Sequence, residues 1–147
     1  MASEITALKD FLATQQKSNL DLKQTIKQKN LEIDDLSSEF YLSVIKILDR
    51  FESKEENLSD RYKDSKDALK VIKSYSSIKR QLLNLLQGYG VTLLEFPENK
   101  IIIGYSKVVE TEPDSTKEND TIVEIIKNGY IKGEKLIREA ELIVVKN

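Results

Sequence analysis

The sequence has no cysteine and no histidine. Without cysteine there can be no disulfide, no thiolate metal site and no thiol nucleophile, and no redox compartment can be inferred. Without histidine the commonest general base and the commonest metal ligand are both missing. These two absences weigh against bond-making chemistry before any motif is read. No catalytic residue, metal site or cofactor is expected. An excess of positive charge is also lacking: 23 Lys and Arg stand against 25 Asp and Glu, for a net charge of −2, which is no electrostatic footprint for a nucleic acid. No apolar run approaches the ~20 residues that cross a bilayer. Met1 to Asp10 shows no charged-then-apolar leader pattern, so the expectation is a soluble, cytoplasmic protein with no membrane or nucleic-acid partner.

Glycine and proline are scarce and unevenly placed. The five glycines (88, 90, 104, 129, 133) and both prolines (97, 113) follow residue 87. Their absence from the preceding span predicts a helical front, because these residues interrupt helices most strongly. Within it, Ile5, Leu8, Leu12, Leu22, Ile26, Ile33, Leu36, Phe40 and Ile47 fall on an alternation of three and four. Gln15, Asn19, Lys29 and Ser43 are the polar exceptions. Such a seam needs another helix to cover it, and a second copy of the chain is the simplest partner. A helix from about residue 3 to 52 would be roughly 70 Å long, with no partner of that length in the same chain. The polar seam positions are either tolerated faults or, at Asn19, a device that fixes register.

The apolar period lapses at Ser53–Asn57, and Ser53 with Glu56 fits a capping box. A second helix, about 60–88, then carries Ala68, Val71, Ile72, Tyr75, Ile78, Leu82, Leu85, Leu86 and Tyr89 on one stripe. Gly88-Tyr89-Gly90 would end it. The stripe is wider than a coiled-coil seam, which predicts a four-helix bundle across a homodimer. Short β-rich runs follow: 91–96, 100–110, 121–130 and 135–146. Lys132-Gly133-Glu134 forms a hairpin turn, and 111–120 a polar loop. The fold class is α+β: a long coiled-coil-forming helix, a short-helix bundle across a homodimer, and a small C-terminal all-β domain. A helical dimerisation region would occupy 1–89 and the β-domain 90–147.

The last third of the chain carries a family pattern. Gly129, Tyr130, Ile137, Arg138, Ala140 and Val145, within the segment from Gly129 to Lys146, resemble the C-terminal signature of the GrpE family. Thr121–Asn128 resembles the stretch that precedes it. Phe40, Val44, Ile47, Leu48, Asp49, Phe51 and Glu52 resemble the family's long-helix end, and Leu82-Leu83 through Gly88-Tyr89-Gly90-Val91 its entry to the β-domain. The chain departs from the pattern at Glu98–Tyr105, where the family has D-P-x-x-H-x-A. It departs again at Glu134-Lys135, where the family has Gly-Arg, and at Lys46-Ile47, which lacks a proline.

The resemblance implies a nucleotide exchange factor that binds the ATPase domain of a DnaK-type chaperone and promotes ADP release. It implies chaperone contacts at Lys135, Val145 and Arg138, to which Val108 and Glu110, at a strand edge before the polar loop, are added as candidates. The periodic seam and stripe name the residues expected to hold the homodimer: Ile5, Leu8, Leu12, Leu22, Ile26, Ile33, Leu36, Phe40, Ile47, Leu82 and Leu86. Asp49 and Glu52 read as solvated or paired within their own helix. The other reading is a structural coiled-coil adaptor whose β-domain docks a different protein.

Overall fold

The computed structural model describes residues 1–147. The glycine- and proline-free front forms two helices, α1 (Ala2–Arg61) and α2 (Lys66–Gly88). The chain divides into two units, Met1–Glu39 and Phe40–Asn147. The first unit is α1 alone. The hydroxyls of Thr6, Thr14 and Thr25 donate to the carbonyls four residues back, which occupies side chains that would otherwise compete with the helix. Ile5, Leu8, Leu12, Leu22, Ile26, Ile33 and Leu36 are each 50 to 67 % exposed. No residue of this unit is buried.

In the second unit, α1 does not pause at Ser53–Asn57 but runs on to Arg61. The reason lies in α2. Lys79 reaches Glu55 at 2.6 Å, the Ser76 hydroxyl donates to the same carboxylate, and the rings of Phe51 and Tyr75 lie 5.5 Å apart. These contacts keep Glu55 on a helical face, so the expected capping box gives way to continued helix. The cap belongs to α2 instead: the Ser65 side chain accepts from the Ala68 N–H. That satisfies one of the orphan donors of the first turn.

Beyond α2 the strands are shorter than the apolar runs suggest. They are β1 (Val91–Leu93), β2 (Ser106–Glu112), β3 (Ile122–Lys127), β4 (Tyr130–Lys132), β5 (Lys135–Arg138) and β6 (Ala140–Val145). They form two three-stranded sheets, ordered β1-β4-β5 and β2-β6-β3. β2 runs parallel to β6, and the remaining pairs are antiparallel. The run expected at 100–110 is strand only from Ser106, because a 3-10 turn at Pro97–Asn99 and a turn at Gly104 (φ +86°) take up the residues before it. The runs at 121–130 and 135–146 are each cut once, at Asn128-Gly129 and at Glu139. Both cuts fall where the chain changes sheets. The expected hairpin is present, with β4 and β5 paired across Gly133 (φ +58°).

Two cores result. Tyr41, Val44, Ile45 and Leu48 of α1 pack with Leu86, Val91 and Tyr130, so the end of the long helix, the end of α2 and the first sheet share one apolar interior. Leu82, Leu83 and Ile137 flank it. Ala140, Leu142 and Val144 form the second core, flanked by Phe96, Ile101 and Ile122. Gly129 sits at the junction. A Cβ there would come within 2.3 Å of the Leu94 side chain and 2.8 Å of the Ala140 backbone nitrogen. Glycine is required here for space, since its φ is not in the left-handed region. Gly129→Ala is expected to lose about 1–3 kcal/mol through overpacking. Urea unfolding of the variant checks this, and an unchanged midpoint would contradict the close packing.

Candidate functional site

The second unit is organised around one guanidinium. Arg138, the last residue of β5, donates Nη1 to Asp49 Oδ2 at 2.5 Å and Nη2 to Asp49 Oδ1 at 2.9 Å. Its Nε and Nη2 also donate to the Asn128 carbonyl, at 3.1 and 2.6 Å. The plane lies 5.3 Å from the Tyr130 ring centroid. A planar fork with fixed donors can meet a carboxylate and a carbonyl at once, which a lysine cannot do. The Asn128 side chain donates to both oxygens of Glu52 at 3.3 Å. Helix α1 is therefore clasped to the sheet through two of its carboxylates.

Asp49 and Glu52 are thus neither solvated nor paired within their own helix. The signal that finds them is spacing. Ile45, Leu48, Asp49 and Glu52 fall at i, i+3, i+4 and i+7, so the carboxylates prolong the buried stripe. A carboxylate on a core-facing stripe needs a buried partner.

Burial shapes the electrostatics. The Glu52 carboxyl titrates above the usual carboxylate range, chiefly because burial disfavours its charged form, with Asp49 adding repulsion; Lys79, Asn128 and Arg138 pull the other way. The Tyr130 hydroxyl is buried with no hydrogen-bond partner, and its pKa is pushed up to about 12, chiefly by the same loss of solvent. Beside the clasp, an open groove of about 1180 Å³ runs between α1 and β3, with Asp49, Glu52, Glu55 and Glu56 on one wall and Glu124 and Lys127 on the other.

The residues singled out for partner contact are split between the two sheets. Lys135 is exposed at the start of β5 and pairs with Lys132. Arg138 ends the same strand and is committed to the clasp. Val108, 40 % exposed, and exposed Glu110 lie on β2, an edge strand. A bulge between them pairs Val108 with Leu142 and Glu110 with Ile143. Adjacent residues of β6 point to opposite sides, so Val108 and Glu110 occupy opposite faces although they are two apart in sequence. Val145 pairs with Glu112 and is fully buried. Of the residues named for the dimer, Phe40 and Ile47 are 50 and 45 % exposed, as the first unit's stripe is. Leu86 is buried in its own chain, and Leu82 packs against the same core.

The GrpE family model matches residues 1–146. The chain belongs to the GrpE family. It is 30 % identical to Protein GrpE of Ehrlichia canis over 139 residues, covering 92 % of this chain and 64 % of that protein. It is 32 % identical to Protein GrpE of Ehrlichia chaffeensis over the same length, covering 92 % and 63 %. Protein GrpE of Fusobacterium nucleatum is 30 % identical over 131 residues, covering 86 % and 63 %. The chain thus spans a little under two thirds of each of these relatives. No helix is long and apolar enough to cross a membrane.

Two measurements test the clasp. Arg138 and Asp49 are only 18 and 28 % exposed, so their pairing escapes most of the screening that weakens surface ion pairs. Arg138→Ala and Asp49→Ala are each expected to cost about 1–3 kcal/mol, with the double variant costing clearly less than the sum. Additive losses in urea unfolding would mean that the two groups do not act together. A raised acid is stabilising when protonated, so the share contributed by Glu52 is full below the ordinary carboxylate range and is lost as pH rises through its raised value. Glu52→Gln stays neutral and still accepts from Asn128. Its melting temperature relative to the parent is expected to climb between pH 4 and pH 7, and a flat difference would argue against burial of the charge.

Proposed function

We propose that this chain is a GrpE-like nucleotide exchange factor, which binds the ATPase domain of a DnaK-type chaperone and promotes ADP release. The observation that carries the reading is the family match over residues 1–146. In this role the chain breaks no bond and is not an enzyme. It supplies binding energy that differs between two states of its partner. If binding weakens ADP about 1000-fold, roughly 4 kcal/mol of interface energy must favour the open nucleotide cleft. By reciprocity, nucleotide must weaken the exchange factor's own binding by the same factor.

The division of labour in this reading runs along the sequence. Residues 1–89 hold a homodimer, and residues 90–147 meet the chaperone in the cytosol. The dimer reading draws on the exposed stripe from Ile5 to Ile47, which is uncovered in a single copy and has the spacing of a coiled-coil seam. Of the residues named for chaperone contact, Lys135, Val108 and Glu110 are accessible, Arg138 aims the first sheet and Val145 supports the second from inside.

Release of labelled ADP from a DnaK-type chaperone of the same cell tests the reading. The chain is expected to accelerate release, and Lys135→Glu combined with Val108→Asp to reduce the acceleration at least 10-fold. Light scattering should return twice the chain mass of 16.9 kDa for both proteins. A dimer with no effect on any such chaperone would favour the adaptor role instead.

A further inference from the structure

Asn128 is the one asparagine in the chain that glycine follows. Such a pair is chemically labile. The side-chain amide carbon, Cγ, can close a five-membered ring with the next backbone nitrogen, and glycine has no Cβ to crowd the approach. Here the glycine is fixed by packing, because a Cβ at 129 would collide with the Leu94 side chain and the Ala140 backbone. The junction between the two sheets therefore keeps a labile unit at the clasp.

The clasp surrounds that unit with the groups its rearrangement needs. Arg138 donates twice to the Asn128 carbonyl, from Nε at 3.1 Å and from Nη2 at 2.6 Å. This carbonyl and the Gly129 nitrogen belong to one peptide unit. When the nitrogen gives up its proton, negative charge spreads onto the oxygen, and a guanidinium already fixed there stabilises that charge as it develops. At the other end, Asn128 Nδ2 lies 3.3 Å from both oxygens of Glu52. Nδ2 is the leaving atom, and a carboxyl that holds its proton above the ordinary range stands ready to protonate it. Asn128 is half-buried and lines the open groove between α1 and β3, so water can enter and ammonia depart.

From this geometry we infer that Asn128-Gly129 is a self-modification site, at which the folded clasp promotes conversion of Asn128 to aspartate or isoaspartate and so releases its own hold on α1. The Gly129 nitrogen loses its proton to water and bonds to Asn128 Cγ. The Cγ–Nδ2 bond breaks, and Nδ2 leaves as ammonia with a proton from Glu52, which Glu52 recovers from solvent. A succinimide ring remains. Water opens it at Cγ to give aspartate, or at the backbone carbonyl to give isoaspartate. One water is consumed and one ammonia released, with no oxidant or reductant. Both products work against the clasp. Each removes the amide that donates to Glu52 and adds a carboxylate beside Asp49 and Glu52, where like charges repel. Isoaspartate also lengthens the backbone at the crowded Gly129 junction.

Incubation of the full chain in neutral buffer tests this, with a peptide of residues 121–135 as the unfolded reference. Conversion at Asn128 is read by peptide-mass mapping and by enzymatic methylation of isoaspartate. Asn128 is expected to convert at least about 10-fold faster in the chain than in the peptide, a modest part of what one positioned proton donor supplies. Glu52→Gln cannot protonate the leaving nitrogen, and Arg138→Lys cannot hold the carbonyl with a planar fork. Each is expected to bring the rate down towards that of the peptide. The parent should lose urea stability in step with conversion, and freshly made Asn128→Asp should start with a lowered midpoint. Conversion no faster than in the peptide would overturn the inference, as would parental rates in both variants. An unchanged midpoint after conversion would reject the release of α1. Scission between Asn128 and Gly129 would mean that Nδ2 attacks the carbonyl instead, and would also reject the proposed route.

Discussion

The clasp between Arg138 and Asp49 is the constraint on which the second unit depends. Small β-units bury too little surface to be stable on general grounds, and this one spreads its strands over two three-stranded sheets. What joins the first sheet to α1 is an apolar contact around Tyr130, Ile45 and Leu48, sealed by a bidentate ion pair. Apolar contact is non-directional and would tolerate some sliding. A guanidinium fork that meets one carboxylate and one carbonyl tolerates very little. The Asn128 carbonyl accepts from Arg138 while its side chain donates to Glu52, so β5 is tied to the helix at Asp49 directly and at Glu52 through Asn128. Orientation comes from the polar groups and adhesion from the apolar ones.

That arrangement has a cost, which falls on Glu52 and Tyr130. Both are polar groups brought out of water to complete the seal. Glu52 recovers part of the loss through Asn128 and Lys79, while the Tyr130 hydroxyl recovers none through hydrogen bonding. Its ring is compensated differently, by the Arg138 cation above it. A buried hydroxyl without a partner normally signals an imperfection. Here it accompanies the aromatic body that fills the first core, where phenylalanine could supply the same contact but not the same dipole beside the clasp.

The sequence discloses the elements more readily than their joints. Two helices, a β-rich tail and the Gly133 hairpin follow from periodicity and from where glycine and proline are withheld, because those features act within a few residues. Strand ends do not follow in the same way. The run 121–130 is rich in β-branched residues, and periodicity cannot tell that its last residue belongs to another sheet. That information lies in Gly129, whose missing Cβ admits Leu94 and Ala140. The lapse at Ser53–Asn57 misleads for a related reason: the helix there is held by Glu55, whose partners Ser76 and Lys79 are more than twenty residues away. At the site, Arg138 stands out from its motif, but its partner is 89 positions distant. The buried place of Val145 is set by which sheet β6 joins. Asp49 was within reach, since a carboxylate on the stripe of Ile45 and Leu48 announces a missing cation.

An exchange factor of the proposed kind must deliver several kcal/mol of preference for one state of its partner, and it can do so only through a body that does not yield first. If the β-unit could rotate on α1 for less energy than the partner's cleft costs to open, the β-unit would rotate and the cleft would stay shut. A purely apolar joint offers weak resistance to such rotation. A joint that includes a half-buried bidentate pair resists it more strongly, because rotation would leave both charges partly buried without a partner, and the carbonyl and amide that share the guanidinium add to that resistance. On that proposal, neither histidine nor cysteine has a task to perform. Stiffness at a polar joint and a rigidly presented surface are the whole of what differential binding demands.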